Sequence, residues 1–161
     1  MTDIVRESVL TNQVSASVAG TLQRGQILTI QGIGLEEFDE LFVHWLSTVS
    51  IVGTAPTIRL ILQRAVRPNP DPTVDVHWDD YAAFFSSTGP ADRILYLPME
   101  STGVSTGLAG TKEQARVSGS ALASQVLAGH WGDRLRVLEI VGGTITTPMT
   151  YSVYMTGINR G

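Results

Sequence analysis

The chain has 161 residues, of which 43% are hydrophobic and only 16% are charged, and its formal net charge is −4. A chain of this length most simply forms one domain around one substantial core. The slightly acidic balance argues against a nucleic-acid-binding protein, because such a protein presents a basic face. The sequence has no cysteine, which excludes disulfides, thiolate chemistry and cysteine-based zinc sites.

The N-terminal residues 1–24 are polar and contain few large apolar side chains. They are expected to form an N-terminal arm or an edge strand, ahead of a β-sandwich domain at residues 25–161. The first ten residues lack the basic stretch and apolar run of a signal peptide. No stretch reaches the roughly 18 uninterrupted apolar residues of a membrane-spanning helix, so we expect no membrane partner.

The strand signals begin with residues 26–32 (QILTIQG), where Leu28 and Ile30 are expected to share one face. Two apolar runs then flank a Gly-Thr-Ala-Pro turn within residues 41–67, a pattern that predicts a long β-hairpin. The first of these runs is largely apolar on both faces. A strand of that kind is either central in its sheet or covered by a partner.

The second half of the chain continues the same pattern after a proline-rich break. Residues 67–72 (RPNPDP) predict a rigid loop, because proline cannot donate to the hydrogen bonds of a sheet. Alternation resumes at residues 73–80 and 92–99, which predict two further strands. Residues 134–141 and 149–158 predict a second hairpin.

Residues 100–129 are rich in Gly, Ser, Thr and Ala and show little regular pattern, apart from one or two helical turns at 120–127. About thirty residues of this kind usually form a functional or assembly loop. The chain as a whole has about eight strands, little helix, no repeat and no alternation of strands with helices. This predicts an all-β protein, an antiparallel β-sandwich of jelly-roll-like type.

The dipeptide His-Trp occurs three times, at His44-Trp45, His77-Trp78 and His130-Trp131. One hypothesis is a three-histidine metal site of the kind found in zinc enzymes, with Asp79 or Asp133 as a further ligand. The alternative is that each Trp packs in the core while the adjacent His faces outward or is hydrogen-bonded. We favour the alternative, because no further metal-ligand spacing such as H-E-x-x-H is present. No metal is predicted.

Other catalytic chemistry finds little support in the sequence. The carboxylates Asp75, Asp79, Asp80 and Asp92 could form a glycosidase pair or a calcium site, but a calcium loop needs oxygen ligands at defined offsets. A solvated strand face is favoured for them. The G-x-S-x-G spacing at residues 103–107 (GVSTG) lies in a stretch with little regular pattern, so no nucleophile elbow is predicted there, and the glycine-rich residues 103–110 lack the lysine of a P-loop. We predict no catalytic residues, no cofactor and no enzymatic activity.

The aromatic residues suggest a carbohydrate-binding alternative. Exposed rings on a sandwich face can bind sugars, and the candidates are Trp45, Trp78, Trp131, Tyr81 and Tyr151. Core packing is the favoured interpretation for most of them, because large aromatic side chains dominate cores of this size. Coplanar exposed rings would favour sugar binding, and buried rings with apolar edges or loops would favour a protein-binding role.

The chain resembles the small β-sandwich proteins encoded among the virion genes of tailed bacteriophages. Three phrases carry the resemblance, which spans residues 26–158: VSIVGTAPTIRLILQRA, LAGHWGDRLRVLEIVGG and MTYSVYMTGI. The sequence departs from the family pattern in the proline-rich insert at residues 67–72 and in the acidic stretch at residues 36–40. None of the three phrases is a catalytic motif, so no binding residue is transferred.

The resemblance implies a structural virion protein that binds and reinforces the capsid lattice, as a decoration (cement) protein or a minor capsid protein. Such a protein would be made in the host cytoplasm and would reside on the capsid surface, with the major capsid protein as its partner. Low charge and two-faced apolar strands suggest a homo-oligomer, and the three-fold positions of capsid lattices suggest a trimer. The alternative function is a carbohydrate-binding or receptor-binding module.

Overall fold

The computed structural model describes residues 2–98 and 130–161, so the predictions made for residues 100–129 lie outside the described residues. Two short 3₁₀ turns, Leu35–Glu37 and Asp75–His77, interrupt a chain of strands. The strands are β1 (Asp3–Val14), β2 (Gly20–Ile27), β3 (Thr29–Ile30), β4 (Ile33–Gly34), β5 (Glu40–Ser47), β6 (Val52–Ala65), β7 (Trp78–Ala83), β8 (Ala91–Pro98), β9 (Leu135–Thr147) and β10 (Thr150–Asn159). Within this part of the chain, no helix has the length and apolar character needed to cross a membrane.

The strands form two four-stranded antiparallel sheets. Sheet A has the order β1-β10-β5-β8 and sheet B the order β2-β9-β6-β7, while β3 and β4 pair as a small separate hairpin. Apolar side chains from the inner faces of both sheets make one continuous core. The predicted all-β class and antiparallel β-sandwich are therefore confirmed.

The long strands pair in a nested order. The first strand pairs with the last (β1 with β10), β2 pairs with β9, β5 with β8 and β6 with β7. Successive long strands lie in different sheets everywhere except at β6 and β7. The described chain is therefore arranged like one long hairpin that has been wrapped around a common core.

The predicted hairpin over residues 41–67 is wrong, because β5 belongs to sheet A and β6 to sheet B. The second hairpin, predicted for residues 134–141 and 149–158, is wrong for the same reason, since β9 and β10 also lie in different sheets. The strands themselves exist, and Trp45 and Ile58 from the first pair both point into the core. Alternation fixes which face of a strand is buried, but a short connection can lead either to a neighbour in the same sheet or across the sandwich.

Two other strand predictions are corrected in detail. The strand predicted at residues 26–32 is broken after Ile27, where β2 ends. Leu28 and Ile30 therefore do not share a face: Ile27 and Ile30 are buried, and Leu28 is exposed. The strand predicted at residues 73–80 begins only at Trp78, because a 3₁₀ turn precedes it and leaves Val76 71% exposed. The strand predicted at residues 92–99 is confirmed as β8.

The N-terminal residues occupy the edges of both sheets. β1 pairs along most of its length with β10, and its partners run from Asp3 opposite Asn159 to Val14 opposite Thr150. β2 pairs with β9 at the edge of sheet B. The stretch discussed as an arm or an edge strand thus contributes one edge strand to each sheet.

Candidate functional site

The three histidines do not come together. His44 lies on the outward side of β5, and its Nε2 is 2.7 Å from Asp92 Oδ1. His77 Nδ1 accepts a hydrogen bond from the backbone N–H of Asp71, and His130 Nδ1 accepts one from the backbone N–H two residues further on. Among residues 2–98 and 130–161, no three His, Asp or Glu side chains are placed to hold a metal ion.

The aromatic residues proposed for sugar binding lie in the interior. Trp45, Trp78 and Trp131 are all buried, and so are Tyr81 and Tyr151. The interpretation that each tryptophan packs in the core is confirmed. None of the five rings presents a face to solvent, so a sugar would need a different set of side chains.

The carboxylates considered as a catalytic or calcium set are split between two sides of the molecule. Asp92 is on β8 in sheet A, whereas Asp75, Asp79 and Asp80 lie in or just before β7 in sheet B. The expectation of a solvated strand face is wrong for Asp79 and Asp80, which are both buried. Asp80 Oδ1 accepts a hydrogen bond of 2.5 Å from the amide of Gln63.

One buried charged cluster holds the proline-rich loop against sheet B. The guanidinium of Arg136 donates to Gln63 Oε1 at 2.6 Å, to Asp75 Oδ1 at 2.8 Å and to the backbone oxygen of Pro72, and it lies 4.8 Å from the centre of the Trp78 ring. Burial lowers the pKa of Arg136, and the hydrogen bond and charge of Asp75 act against that shift. The contacts with Pro72 and Asp75 tie the loop to the sheet, and those with Gln63 and Trp78 hold the guanidinium in place within the sheet, so the cluster has a structural role.

A second buried charged cluster lies between the sheets. Glu139 is fully buried, yet both of its carboxylate oxygens are satisfied. Arg24 donates Nε to Oε2 at 3.1 Å and Nη2 to Oε1 at 2.9 Å, the Tyr151 hydroxyl donates to Oε2 at 2.6 Å, and the backbone N–H of Ala16 donates to Oε1 at 2.7 Å. The cluster fastens the two N-terminal strands to β9 and β10.

The charges in this cluster shift the pKa values of its members. Burial lowers the pKa of Arg24, but the hydrogen bond and charge of Glu139 outweigh that effect, so the pKa is raised. Burial and then the Glu139 charge raise the pKa of Tyr151. Both shifts favour a charged Arg24 beside a neutral phenol at any ordinary pH, which suits a permanent internal contact rather than proton transfer.

The candidate functional surface is the outward side of sheet A, which we call the outer face of sheet A. Its apolar and aromatic members come from all four strands, and several of them are strongly exposed, with Ile94 at 61% and Tyr96 at 46%. They are Ile4, Phe42, Ile94, Tyr96, Tyr154 and Ile158. Contiguous exposed apolar surface of this kind marks an interaction site.

A shallow groove runs across this face. Its volume is about 620 Å³, and its lining is Ile4, Arg6, Glu7, Ser8, Phe42, His44, Ile94, Tyr154, Thr156 and Ile158. The ring of Tyr96 does not line the groove but stands beside it, with its centre 5.0 Å from that of Phe42 and its plane tilted by 34°. The rings of His44 and Tyr154 are 6.0 Å apart inside it.

Several titratable side chains of the outer face of sheet A contact a neighbouring side chain, while Arg6 and Glu7 line the groove from the edge strand β1. His44 contacts Asp92, and Arg160 Nη2 lies 2.8 Å from Glu40 Oε1. Burial raises the pKa of Tyr96, and the charge and hydrogen bond of Glu40 raise it further. The centre of the face is mainly apolar, with His44 and Tyr154 as its polar side chains, which suits a protein surface better than a highly charged ligand.

Comparison of the chain with known protein families, with characterised proteins and with solved structures finds no match. The function must therefore be argued from the chain's own residues. Sequence reasoning did not assemble the outer face of sheet A, because its members come from strands far apart in the chain. The one usable signal was the two-faced apolar character of β5, whose outward residues Phe42 and His44 are at the centre of the face.

Proposed function

We propose that the protein is a structural component of a phage or phage-like particle, a decoration or minor capsid protein that binds and reinforces the capsid lattice. It would be made in the host cytoplasm and act on the capsid surface. The observation that carries the proposal is the exposed outer face of sheet A, where Ile4, Ile94 and Tyr96 are all more than two-fifths exposed. A protein that works in isolation rarely leaves such a surface in water.

The order of the strands supports the same proposal. We infer a jelly-roll topology from the nested pairing of the eight long strands, since wrapping one long antiparallel hairpin produces two Greek keys in two facing sheets. This architecture occurs in viral capsid domains and also in lectins. This is an argument by analogy of fold. It favours a virion protein but assigns a role to no particular residue.

A binding role without catalysis fits the use of the buried charges. In the described part of the chain, the clusters around Arg136 and Glu139 are each internally hydrogen-bonded and hold loops and edge strands in place. Neither cluster opens onto the groove of sheet A. We therefore propose that the protein acts through its surface and is not an enzyme.

Carbohydrate binding is the second candidate, and it rests on one observation. The groove combines the ring of Tyr154 with His44, whose Nε2 is 2.7 Å from Oδ1 of Asp92, and so offers an aromatic ring beside a polar group. The exposed ring of Tyr96 is tilted by 34° against Phe42, so the two do not form a flat platform for a sugar ring. The geometry therefore favours a protein partner.

The test is co-sedimentation with capsids assembled without this protein. Wild-type protein is expected to pellet with the capsids, whereas Ile94→Glu, which places a charge in the apolar face, should remain in the supernatant. Val76→Glu is the matched control, because Val76 is exposed to a similar degree (71%, against 61% for Ile94) but lies on the turn before β7. Failure of the wild-type protein to pellet would contradict the proposal, and binding to a glycan array instead would favour the sugar-binding candidate.

A further inference from the structure

We infer that the outer face of sheet A binds a second copy of this chain, around a two-fold axis that runs parallel to the strands. The inference rests on the proposed function in that it concerns the same face: a second copy covers the face in the free protein, and the capsid lattice would take its place on the particle. It is argued from three observations: the order of side chains in each row of the face, the shape of the groove, and the size of the face.

The outward side chains of sheet A form rows that cross its four strands. The strand register places Ser8 beside Tyr154, Tyr154 beside His44 and His44 beside Ile94. The next row, listed in the order β1, β10, β5 and β8, is Arg6, Thr156, Phe42 and Tyr96. In both of these rows β1 contributes a polar residue and β8 contributes a large apolar or aromatic residue.

A two-fold axis parallel to the strands places every row against its own reverse. It exchanges β1 with β8 and β10 with β5, so that Tyr96 of one copy lies over Arg6 of the other. In the same way Tyr154 lies over His44, and Ser8 over Ile94. Such an interface is isologous, and every contact occurs twice. The cation of Arg6 meets the face of a tyrosine ring, an arrangement that is attractive in proteins.

The shape of the face fits the same arrangement. The tilted rings of Phe42 and Tyr96 lie on the β5 and β8 side, and Tyr96 stands outside the groove. The groove extends across to the β1 and β10 side, where Arg6, Ser8 and Thr156 line it. The two-fold operation therefore brings Tyr96 of each copy over the part of the groove that Arg6 lines in the other copy.

The size of the face sets the strength of the contact. Four strands about 4.8 Å apart and four outward rows about 6.8 Å apart give a footprint of roughly 500 Å² per copy. The total of roughly 1,000 Å² is at the lower limit for a specific interface. The dimer is therefore weak and concentration-dependent, with a dissociation constant on the order of micromolar.

Sedimentation velocity over a concentration series from about 1 to 300 µM, a range chosen to bracket a micromolar constant, tests the inference. The wild-type protein should change from monomer to dimer across the series. Tyr96→Ala and Ile94→Glu should stay monomeric with unchanged far-UV circular dichroism, and Val76→Glu should dimerise like the wild type. A wild-type protein that remains monomeric throughout, or that forms a trimer, would overturn the two-fold dimer.

Cross-linking tests the geometry itself, because the chain has no cysteine of its own. The double variant Ser8→Cys with Ile94→Cys puts thiols at positions that face each other across facing sheets about 10 Å apart. A bismaleimide of similar length should convert it to covalent dimer, whereas each single variant and the pair Val76→Cys with Ile94→Cys should stay uncoupled. Absence of covalent dimer from the Ser8 and Ile94 pair would overturn this arrangement.

The two proposals can fail separately. A dimer that does not pellet with any capsid would support the second copy as the partner of the face and reject the particle role. A strictly monomeric protein that pellets with capsids would reject the second copy and leave the particle role intact. The same purified wild-type protein serves both measurements.

Discussion

Glu139 lies where the alternation of β9 otherwise places Leu135, Val137 and Val141, between the two sheets. Removing a carboxylate from water is costly, and the cost is recovered only if the charge is paired and its oxygens are hydrogen-bonded. Arg24 and Tyr151 supply both requirements. A single acidic residue in the run RVLEIV was visible in the sequence, but its partners were not, because Arg24 is 115 residues away.

Replacing Arg24 by Met should be strongly destabilising, because it leaves the Glu139 carboxylate buried without its cation. We expect a loss of about 3 to 5 kcal/mol in the free energy of unfolding, measured by urea denaturation. Arg160→Met is the control, since the side chain of Arg160 is 62% exposed and exposed ion pairs contribute about 1 kcal/mol or less. Similar losses for the two variants would argue against a buried, paired Glu139.

Tyr81 gives the protein a defined sensitivity to alkali. Burial raises the pKa of its hydroxyl to about 12, and the nearby charge of Arg64 opposes this only in part. The unfolded chain loses the Tyr81 proton near pH 10 and the folded chain near pH 12. The contribution of this group to stability is therefore complete below pH 10 and is lost as the pH rises through 12.

The expected outcome is a fall in stability of about 1.4 kcal/mol per pH unit from this one group between pH 10 and 12. Thermal unfolding across that range measures the dependence of stability on pH. In Tyr81→Phe this dependence should be weaker, because the contribution of Tyr81 is gone. A wild-type slope unchanged by Tyr81→Phe would contradict the assignment of the pKa to this residue.

At the scale of elements, the sequence predicted strands and their buried faces better than it predicted their partners. In β5, Leu41, Val43 and Trp45 point inward, as their spacing indicated. The connection after β5 nevertheless crosses to the other sheet, because β6 pairs with β7 and β9 there. Nothing local distinguishes such a crossing from a hairpin turn, since both connections are short and both lead to a strand with one apolar face.

Deleting residues 1–14 should damage the fold, since β1 covers the outer edge of β10. The deletion would expose the unpaired hydrogen-bonding groups of β10, which are prone to pair with other chains. We expect a lower melting temperature and larger species in size-exclusion chromatography. Deletion of residues 1–2 is the control, because they precede β1. A truncated protein that melts and elutes like the control would identify residues 1–14 as a dispensable arm.

At the scale of the whole molecule, the outer face of sheet A was beyond reach of sequence reasoning. Its rows join residues from the two ends of the chain with residues from the middle, such as Arg6, Thr156 and Phe42. In the sequence, each of these residues is simply an outward-facing residue of a strand. The face forms only when β1, β10, β5 and β8 pair in this order. The alternation of apolar and polar residues along a strand does not predict which strands pair.

The nested pairing also has a consequence for synthesis on the ribosome. β1 is made well before its partner β10, so it waits while all the strands between the two are translated. At typical rates of elongation the wait is on the order of 10 to 30 s. The charged and polar residues Asp3, Arg6, Glu7 and Asn12 interrupt the apolar positions of β1. Charged residues within a strand discourage association with other chains, so we expect β1 to remain available until β10 is made.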